Sequence, residues 1–160
     1  MIRNARVSDV QGIYKLLNHF SDNGLLLGRS LSSLYDHLRD FKVYEVDPAA
    51  DAAAGLAPRE IVGVSALHVC WQDLAEIRSL AVADKFQGQG IGRKLVLACL
   101  EEAESLGIRK VFSLTYQPDF FRKLGFQLID KADLPHKVWS DCLHCPKFPD
   151  CNEVSLIRDV

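Results

Sequence analysis

A glycine-rich turn near the middle of the chain has the composition expected of a binding site for a phosphate group. The turn reads Gln87-Gly88-Gln89-Gly90-Ile91-Gly92 and lies between a strand-like segment, Ala75 to Val82, and a helix predicted to end before Gly107. Glycine has no Cβ to obstruct a bulky anion, and the unpaired N–H groups and the dipole at a helix N-terminus favour negative charge. We therefore predict that this turn and the adjacent Arg93 bind phosphate, mainly through backbone N–H groups.

The spacing of the glycines narrows the kind of phosphate site. The chain contains no G-x-x-x-x-G-K-[ST] loop, and the dinucleotide pattern G-x-G-x-x-G fails because Arg93 occupies the position of its third glycine. The pattern that fits is Q-x-x-G-x-G, formed by Gln87, Gly90 and Gly92. A glycine-rich turn between a strand and a helix can also be purely structural, so the short pattern by itself leaves both interpretations open.

The strand before the turn carries two charged side chains on one face. Because side chains alternate along a strand, Glu76 and Arg78 point to the same side and Ile77 to the opposite side. A partly buried carboxylate in such a place can act as a general base, since burial raises its pKa. The alternative is an ordinary structural ion pair between Glu76 and Arg78.

The C-terminal part of the chain contains a cluster of thiols. Cys142, Cys145 and Cys151 lie close together in the sequence, with His136 and His144 nearby. The C-x-x-C spacing lets two thiolates chelate one zinc ion, but a tetrahedral site needs a fourth ligand. A second C-x-x-C pair is absent. We therefore expect these cysteines to be free or buried thiols that bind no metal, with a structural zinc ion as the alternative. We expect residues 132–151 to form a Cys-rich lid or tail segment.

Length and composition limit the class of protein. A chain of 160 residues is long enough for one well-cored domain, so we expect residues 1–160 to form a single domain. The formal net charge of −2 argues against nucleic acid or an anionic membrane as a partner. No apolar run approaches the roughly 20 residues of a transmembrane helix, and no signal peptide is evident. Five cysteines, an odd number, suit a reducing compartment, so we expect a cytoplasmic protein.

The hydrophobic patterns of the whole chain define the elements that must position these residues. Helical spacing begins after Ser8, which forms a predicted capping box with Gln11. The predicted order of elements is β-α-α-β-β-β-α-β-α-β followed by a last strand. The predicted strands cover residues 2–7, 41–46, 61–71, 75–82, 110–115, 125–129 and 153–158, and the predicted helices lie within residues 8–20, 30–38, 91–106 and 119–124. This alternation predicts the α/β class, with a mixed sheet of about six to seven strands and helices on both faces.

The order of elements, the Q-x-x-G-x-G turn and the sequence Leu124-Gly125-Phe126 together resemble the GNAT superfamily of N-acetyltransferases over almost the whole chain. In that superfamily the glycine turn binds the pyrophosphate of acetyl-coenzyme A. A closer resemblance is to the short, single-domain N-acetylglutamate synthases, which are associated with the first step of arginine biosynthesis. It is carried by four separated stretches: LLLGRSLSSLY, ALHVCWQDLAEIRSLAV, VFSLTYQPDFFRKLGF and LPHKVWSDCLHCPKFPDCNEV. The resemblance implies acetyl-coenzyme A as cosubstrate and the amino group of L-glutamate as acceptor.

The resemblance also implies a role for each candidate residue. The backbone of Leu80-Ala81-Val82 would bond to the pantetheine arm and polarise the thioester, and Gln87 would contact the phosphates. Glu76 would remove a proton from the amine through water. Arg29 and Arg78 would hold the substrate carboxylates, because a guanidinium group forms two parallel hydrogen bonds to a carboxylate.

One position departs from the family pattern. Many GNAT enzymes carry a tyrosine four residues before the glycine of the Gly-Phe sequence, where it protonates the departing thiolate; here that position is Phe121. Tyr116, at the end of the preceding strand, is the nearest tyrosine and is the candidate general acid, with water as the alternative. A half-buried aromatic with its hydroxyl group at the surface is an equally good interpretation of Tyr116.

Two further classes of function remain open at the level of the sequence. The domain can acetylate a protein N-terminus or another small amine, or it can bind acyl-coenzyme A without catalysis. The sequence does not distinguish glutamate from glutamine. It does not determine the oligomeric state either, although it is compatible with a homodimer.

Overall fold

A seven-stranded mixed sheet forms the centre of the computed structural model, which describes residues 1–24, 28–46, 60–134 and 153–160. The strands are β1 (Ile2–Asn4), β2 (Phe41–Glu45), β3 (Ile61–Trp71), β4 (Leu74–Val82), β5 (Lys110–Thr115), β6 (Gln127–Leu128) and β7 (Val154–Asp159). Their order across the sheet is β1-β2-β3-β4-β5-β7-β6. Only β4 and β5 pair in parallel among these strands, and the other neighbours are antiparallel.

Helices cover both faces of this sheet, as the sequence predicted. They are α1 (Val10–Asp22), α2 (Leu31–Asp36), α3 (Ile91–Ser105) and α4 (Pro118–Arg122). The buried stripe of α1 packs with Leu34 of α2 against β2 and β3. On the opposite face, α3 and Phe121 of α4 pack against the other side of β3 and β4. The α/β class and the mixed sheet are therefore confirmed.

The helices of the described part of the chain fall short of what a membrane span requires. None of them combines the necessary length and apolar character.

The start of α1 differs from the prediction. The first strand ends at Asn4, and Val7–Asp9 form a 3₁₀ turn before the helix. The predicted capping box of Ser8 and Gln11 is wrong, because Asp9 makes the local hydrogen bonds instead. Its carboxylate accepts from the backbone N–H of Arg6 at 2.7 Å and from the guanidinium group of Arg3 at 2.7 and 2.9 Å. An ion pair with Arg3, six residues earlier on β1, thus replaces the predicted hydroxyl cap.

A bulge in β4 creates the space needed for a site. The register between β3 and β4 shifts between the pairs Val64–Ala81 and Ala66–Arg78, and Ser79 has a positive φ of 56°. The parallel pairing of β4 with β5 ends at Glu76. Beyond that point the hydroxyl group of Ser113 on β5 donates a hydrogen bond to the Ile77 carbonyl oxygen at 3.0 Å. The two strands then separate, and a cleft opens between them.

Candidate active site

The predicted phosphate-binding turn lies at the N-terminus of α3 and is open to solvent. Gly88 and Gly90 both have φ of +80°, a conformation that favours glycine. A Cβ atom added to either residue would meet nothing within 4 Å. The amides of Ile91, Gly92 and Arg93 belong to the first turn of α3, where N–H groups have no intrahelical acceptor. The local structure therefore presents amide donors and a helix N-terminus to an anion from solvent.

The side chain of Gln87 is directed at the protein. Its amide nitrogen donates to the Val82 carbonyl oxygen at 3.0 Å and lies 3.4 Å from a carboxylate oxygen of Asp84. These bonds tie the glycine turn to the end of β4. The first position of the Q-x-x-G-x-G pattern thus fixes the shape of the turn here, and the phosphate contact expected of this side chain stays a prediction.

A cleft lies between β4 and β5. It has a volume of about 100 Å³ and is lined by Arg78, Ser79 and Leu80 on β4 and by Thr115 and Tyr116 on the opposite side. Ala81 and Val82 pair with β3 on one side, and in the described part of the chain Leu80, Ala81 and Val82 have no strand neighbour on the other side. Their exposed backbone edge is thus in a suitable place for the amide groups of a pantetheine arm.

Glu76 and Arg78 lie on the same face of β4, the face that carries α1 and α2. Glu76 is buried, with 9% of its surface exposed. One Glu76 carboxylate oxygen is 3.6 Å from Nη1 of Arg78. The ion pair considered from the sequence is therefore present, and it lies inside the candidate site. The Nε atom of Arg78 is buried and has no hydrogen-bond partner among the described residues.

Arg29 reaches the same place from the segment before α2. Its Nε and Nη2 atoms donate to the Ser33 hydroxyl oxygen at 3.2 and 2.9 Å, and its guanidinium carbon lies 5.1 Å from the centre of the Phe41 ring. The Nη1 atom is buried without a partner in the described part of the molecule.

The electrostatic surroundings of Arg29 are unfavourable to its charge. Burial is the main cause, and repulsion by Arg78 is the second; together they lower the pKa of Arg29 to about 10, although Asp40 and Glu76 oppose the shift. The structure therefore brings together two arginines that are distant in the sequence. Both retain donors for a carboxylate that the described chain does not supply.

Three polar residues beside this site were not predicted from the sequence. Ser33 holds Arg29, and His68 on β3 forms a 2.8 Å hydrogen bond through Nδ1 with a carboxylate oxygen of Asp40. His68 is also the residue directly opposite Glu76 in the β3–β4 ladder. The position of His68 eight residues before Glu76, on the other arm of a predicted hairpin, could have identified the histidine. The spacing of four residues between Arg29 and Ser33 could have identified the serine, whereas nothing local to Asp40 indicates its role.

Phe121 and Tyr116 both line the cleft, but their surroundings differ. Phe121 is 3% exposed and packs against the rings of Phe120 and Phe126. It has no proton to give and belongs to the core. Tyr116 is partly buried and lines the cleft beside the bulge, so it occupies a suitable place for the role proposed from the sequence.

The predicted lid falls largely outside the described residues. Cys142, Cys145, Cys151 and both neighbouring histidines lie there, so the structure does not test the zinc alternative. Among the described residues no group of three or more side chains could hold a metal ion. Cys70 and Cys99 are buried thiols, and burial raises the pKa of Cys99 to about 11. A thiol so protonated is a packing residue rather than a nucleophile.

A model of the acetyltransferase (GNAT) family matches residues 15–126, a range that contains the strand, the glycine turn and the long helix described above. An uncharacterized N-acetyltransferase of Chlorobaculum tepidum is 36% identical over 161 residues, covering 98% of this chain and 94% of its own length. An amino-acid acetyltransferase of Mycobacterium tuberculosis is 34% identical over 141 residues, covering 88% of this chain and 76% of its own length.

A solved structure adds a likeness of the whole fold. N-acetylglutamate synthase from Neisseria gonorrhoeae, complexed with coenzyme A and N-acetyl-glutamate, gives a TM-score of 0.85 at 27% identity. The match covers 99% of this chain and 34% of that chain. The likeness therefore concerns about a third of the larger protein.

Proposed function

Because the chain belongs to the GNAT family of acetyltransferases and is an N-acetyltransferase, we propose that it transfers the acetyl group of acetyl-coenzyme A to the α-amino group of L-glutamate. This reaction would place it at the first step of arginine biosynthesis. Relatives named amino-acid acetyltransferase and a neighbouring N-acetylglutamate synthase structure support an amino-acid acceptor. The dicarboxylic acceptor is inferred from the site itself.

The observation that carries this proposal is the pair of arginines with unused buried donors. A buried donor without an acceptor costs about 1–3 kcal/mol, and more when the group is charged. Native sites accept such a cost where a ligand removes it. Nη1 of Arg29 and Nε of Arg78 are two such donors on different guanidinium groups. A ligand with two carboxylates, such as glutamate, satisfies both, whereas a simple amine satisfies neither.

In the proposed reaction, the other candidate residues act in turn on the amine, on the oxyanion of the intermediate and on the departing thiolate. Glu76, close to Arg78, removes a proton from the amine, which then attacks the thioester carbon. The backbone N–H groups at the bulge, around Leu80, stabilise the oxyanion of the tetrahedral intermediate. Tyr116 supplies a proton to the departing thiolate. The turn from Gln87 to Arg93 holds the diphosphate, so that the acyl group is fixed relative to Glu76.

A panel of acceptors tests the substrate. Thiol release from acetyl-coenzyme A is followed with glutamate, glutamine, aspartate, other free amino acids, a small amine and a short peptide. We expect glutamate to be a better acceptor than the monocarboxylic amino acids and the simple amine, because two carboxylates can engage both arginines, and better than aspartate if the two guanidinium groups match the longer spacing of the glutamate carboxylates. Preference for the peptide or the simple amine would contradict the proposal. Coenzyme A binding without transfer to any acceptor would indicate a non-catalytic binding module.

Three variants test the assigned roles in the same assay. Glu76→Gln should lower kcat about 100-fold or more, the usual contribution of a positioned base, while the affinity for coenzyme A persists. Arg29→Ala and Arg78→Ala should each raise the KM for glutamate about 10- to 100-fold, since each removes a charged hydrogen bond. Arg122→Ala is the matched control, because Arg122 is exposed and pairs only loosely with Asp119 at 3.6 Å. Indifference of the glutamate KM to both Arg29→Ala and Arg78→Ala would remove the proposed carboxylate site.

A further inference from the structure

A histidine–aspartate pair lies beside the proposed general base. His68 on β3 and Glu76 on β4 are directly opposite each other in an antiparallel ladder. Directly opposite residues point to the same face, with Cβ atoms about 4.5–5.5 Å apart. On that face Nδ1 of His68 lies 2.8 Å from a carboxylate oxygen of Asp40, which ends the 3₁₀ turn Leu38–Asp40. The pair is thus within one side-chain length of the carboxylate that takes the amine proton.

The imidazole ring of His68 is held in one orientation. A carboxylate only accepts hydrogen bonds, so Nδ1 carries the proton and Nε2 of the neutral ring carries the lone pair. The ring of His37 packs edge-on against it at 5.5 Å, and Nδ1 of His37 lies 3.0 Å from the Ser33 carbonyl oxygen. Asp40 therefore orients the ring and stabilises it when it becomes charged, as a carboxylate does for an imidazole base.

The proposed reaction releases one proton per turnover. The amino acid enters as an ammonium ion, and the products are a neutral amide and a thiol. One ammonium proton leaves through Glu76. A second leaves as the C–N bond forms and the C–S bond breaks, and it replaces the proton that Tyr116 gives to the departing sulfur. The side chain of Glu76 is 12% exposed, whereas that of His68 is 23% exposed. The carboxylate needs a route by which its proton reaches solvent before the next turnover.

We propose that His68, oriented by Asp40, takes the proton from Glu76 and passes it to solvent. This inference rests on the proposed function, in which Glu76 is the base. His68 acts through Glu76 and does not touch the substrate. Imidazole suits the task because it is the side chain that changes charge most readily near neutral pH.

Several titratable groups lie around His68. Asp40 is 2.8 Å from its Nδ1 atom, Glu76 lies directly opposite it on β4, Arg78 pairs with Glu76, and the ring of His37 packs against its ring. Loss of His68 should therefore change the pH dependence of kcat. Loss of Asp40 should change it in the same direction, because His68 then loses its charged partner.

The test compares His68→Gln, Asp40→Asn and Glu76→Gln by steady-state kinetics over a range of pH, with the best acceptor of the panel. His68→Gln should lower kcat about 10-fold or more, at the low end of what a positioned acid–base group contributes. The KM values for the acceptor and for acetyl-coenzyme A should stay within about twofold of wild type, because the positioned group acts on proton transfer and not on binding. Added imidazole should restore turnover to His68→Ala in proportion to its concentration.

A double mutant separates a proton route from mere support of the fold. In the Glu76→Gln background, His68→Gln should cause no further loss of kcat, since residues that act as a unit are not additive. His19→Gln is the matched control: His19 also pairs with an aspartate, at 2.7 Å from Asp84, but lies on α1. Additive losses, no rescue by imidazole, or a change in the acceptor KM alone would overturn the proposal. If another amine replaces glutamate as best acceptor, only the substrate assignment fails; if no amine is acetylated, both fail.

Discussion

At the scale of single residues, Arg3 and Arg29 differ in the way that an arginine of a structural ion pair differs from one proposed to bind a ligand. Arg3 donates to the carboxylates of Asp9 and Glu45, and these hydrogen bonds raise its pKa above the ordinary value of arginine. Arg29 has only the hydroxyl group of Ser33 and the face of Phe41, and its pKa falls to about 10. Arg3 has acceptors within the chain for its charge, whereas Nη1 of Arg29 has none among the described residues, as the proposed carboxylate site requires.

This contrast predicts that Ser33 sets the affinity for the amino acid. Ser33→Ala removes the acceptor of two Arg29 donors, so the guanidinium group loses its fixed orientation. We expect the KM for glutamate to rise about 5- to 10-fold, near the low end for hydrogen bonds to charged groups, with kcat almost unchanged. Steady-state kinetics with saturating acetyl-coenzyme A measures this split.

The control for this prediction is Ser30→Ala. Ser30 caps α2 by accepting from the Ser33 N–H at 3.1 Å, and losing such a cap costs about 0.5–2 kcal/mol of stability. It destabilises the same helix without touching Arg29. Equal effects of the two variants on the glutamate KM would show that helix stability, and not the Ser33 hydroxyl group, determines binding.

At the scale of elements, the bulge in β4 interrupts the sheet beside the proposed active site. Before the bulge, Glu76 pairs with both neighbouring strands. After it, β5 no longer pairs with β4, and Leu80 lines the cleft. The bulge requires Ser79 to adopt φ of 56°, which costs an L-residue about 1–2 kcal/mol. This strain is retained at the point where the proposed thioester must approach the backbone.

Substitutions of Ser79 should reveal this strain. Ser79→Gly should raise the free energy of unfolding by up to about 1 kcal/mol, since glycine adopts positive φ without steric cost. Ser79→Val should lower it by more than that, because a branched Cβ is poorly tolerated there. Urea unfolding measures both. Ser79→Ala removes the hydroxyl group but keeps the Cβ atom, so stabilisation by alanine equal to that by glycine would contradict the argument from φ.

At the scale of the whole molecule, close packing between the sheet and α3 fixes the glycine turn. A Cβ atom at Gly63 on β3 would lie 3.0 Å from side-chain atoms of Ile91 and Leu95 and 3.2 Å from Tyr44. Ile91 is the first residue of α3 and belongs to the proposed diphosphate site. The absence of a side chain at Gly63 therefore lets the helix N-terminus sit directly against the sheet.

Gly63→Ala should accordingly affect stability and cofactor binding together. Overpacking of this kind costs about 1–3 kcal/mol, and displacement of the first turn of α3 should weaken coenzyme A binding in calorimetry. Gly12→Ala on α1 is the control, since its Cβ would meet Ile61 at an ordinary 3.8 Å. Alanine there should stabilise the helix by roughly 0.5–1 kcal/mol. A Gly63→Ala protein that loses stability but binds coenzyme A normally would show that the turn does not depend on this contact.

The sequence by itself determined the features that depend on short spacings. The glycine turn between a strand and a helix, the shared face of Glu76 and Arg78, and the buried stripe of α1 follow from local periodicity and backbone sterics, because neighbours along the chain fix them. The α/β class follows from the order of such segments. Resemblance to a family then identified Arg29 as a candidate, which its spacing alone does not.

Only the tertiary structure decided which of these residues meet. The bulge at Ser79 arises from pairing with β3, and the contact of Asp40 with His68 joins residues that are 28 positions apart in the chain. Such arrangements depend on the register of strands and the packing of helices, which no window of sequence encodes. For the same reason, the unused donors of Arg29 and Arg78 become evidence of a ligand only after the fold has buried them.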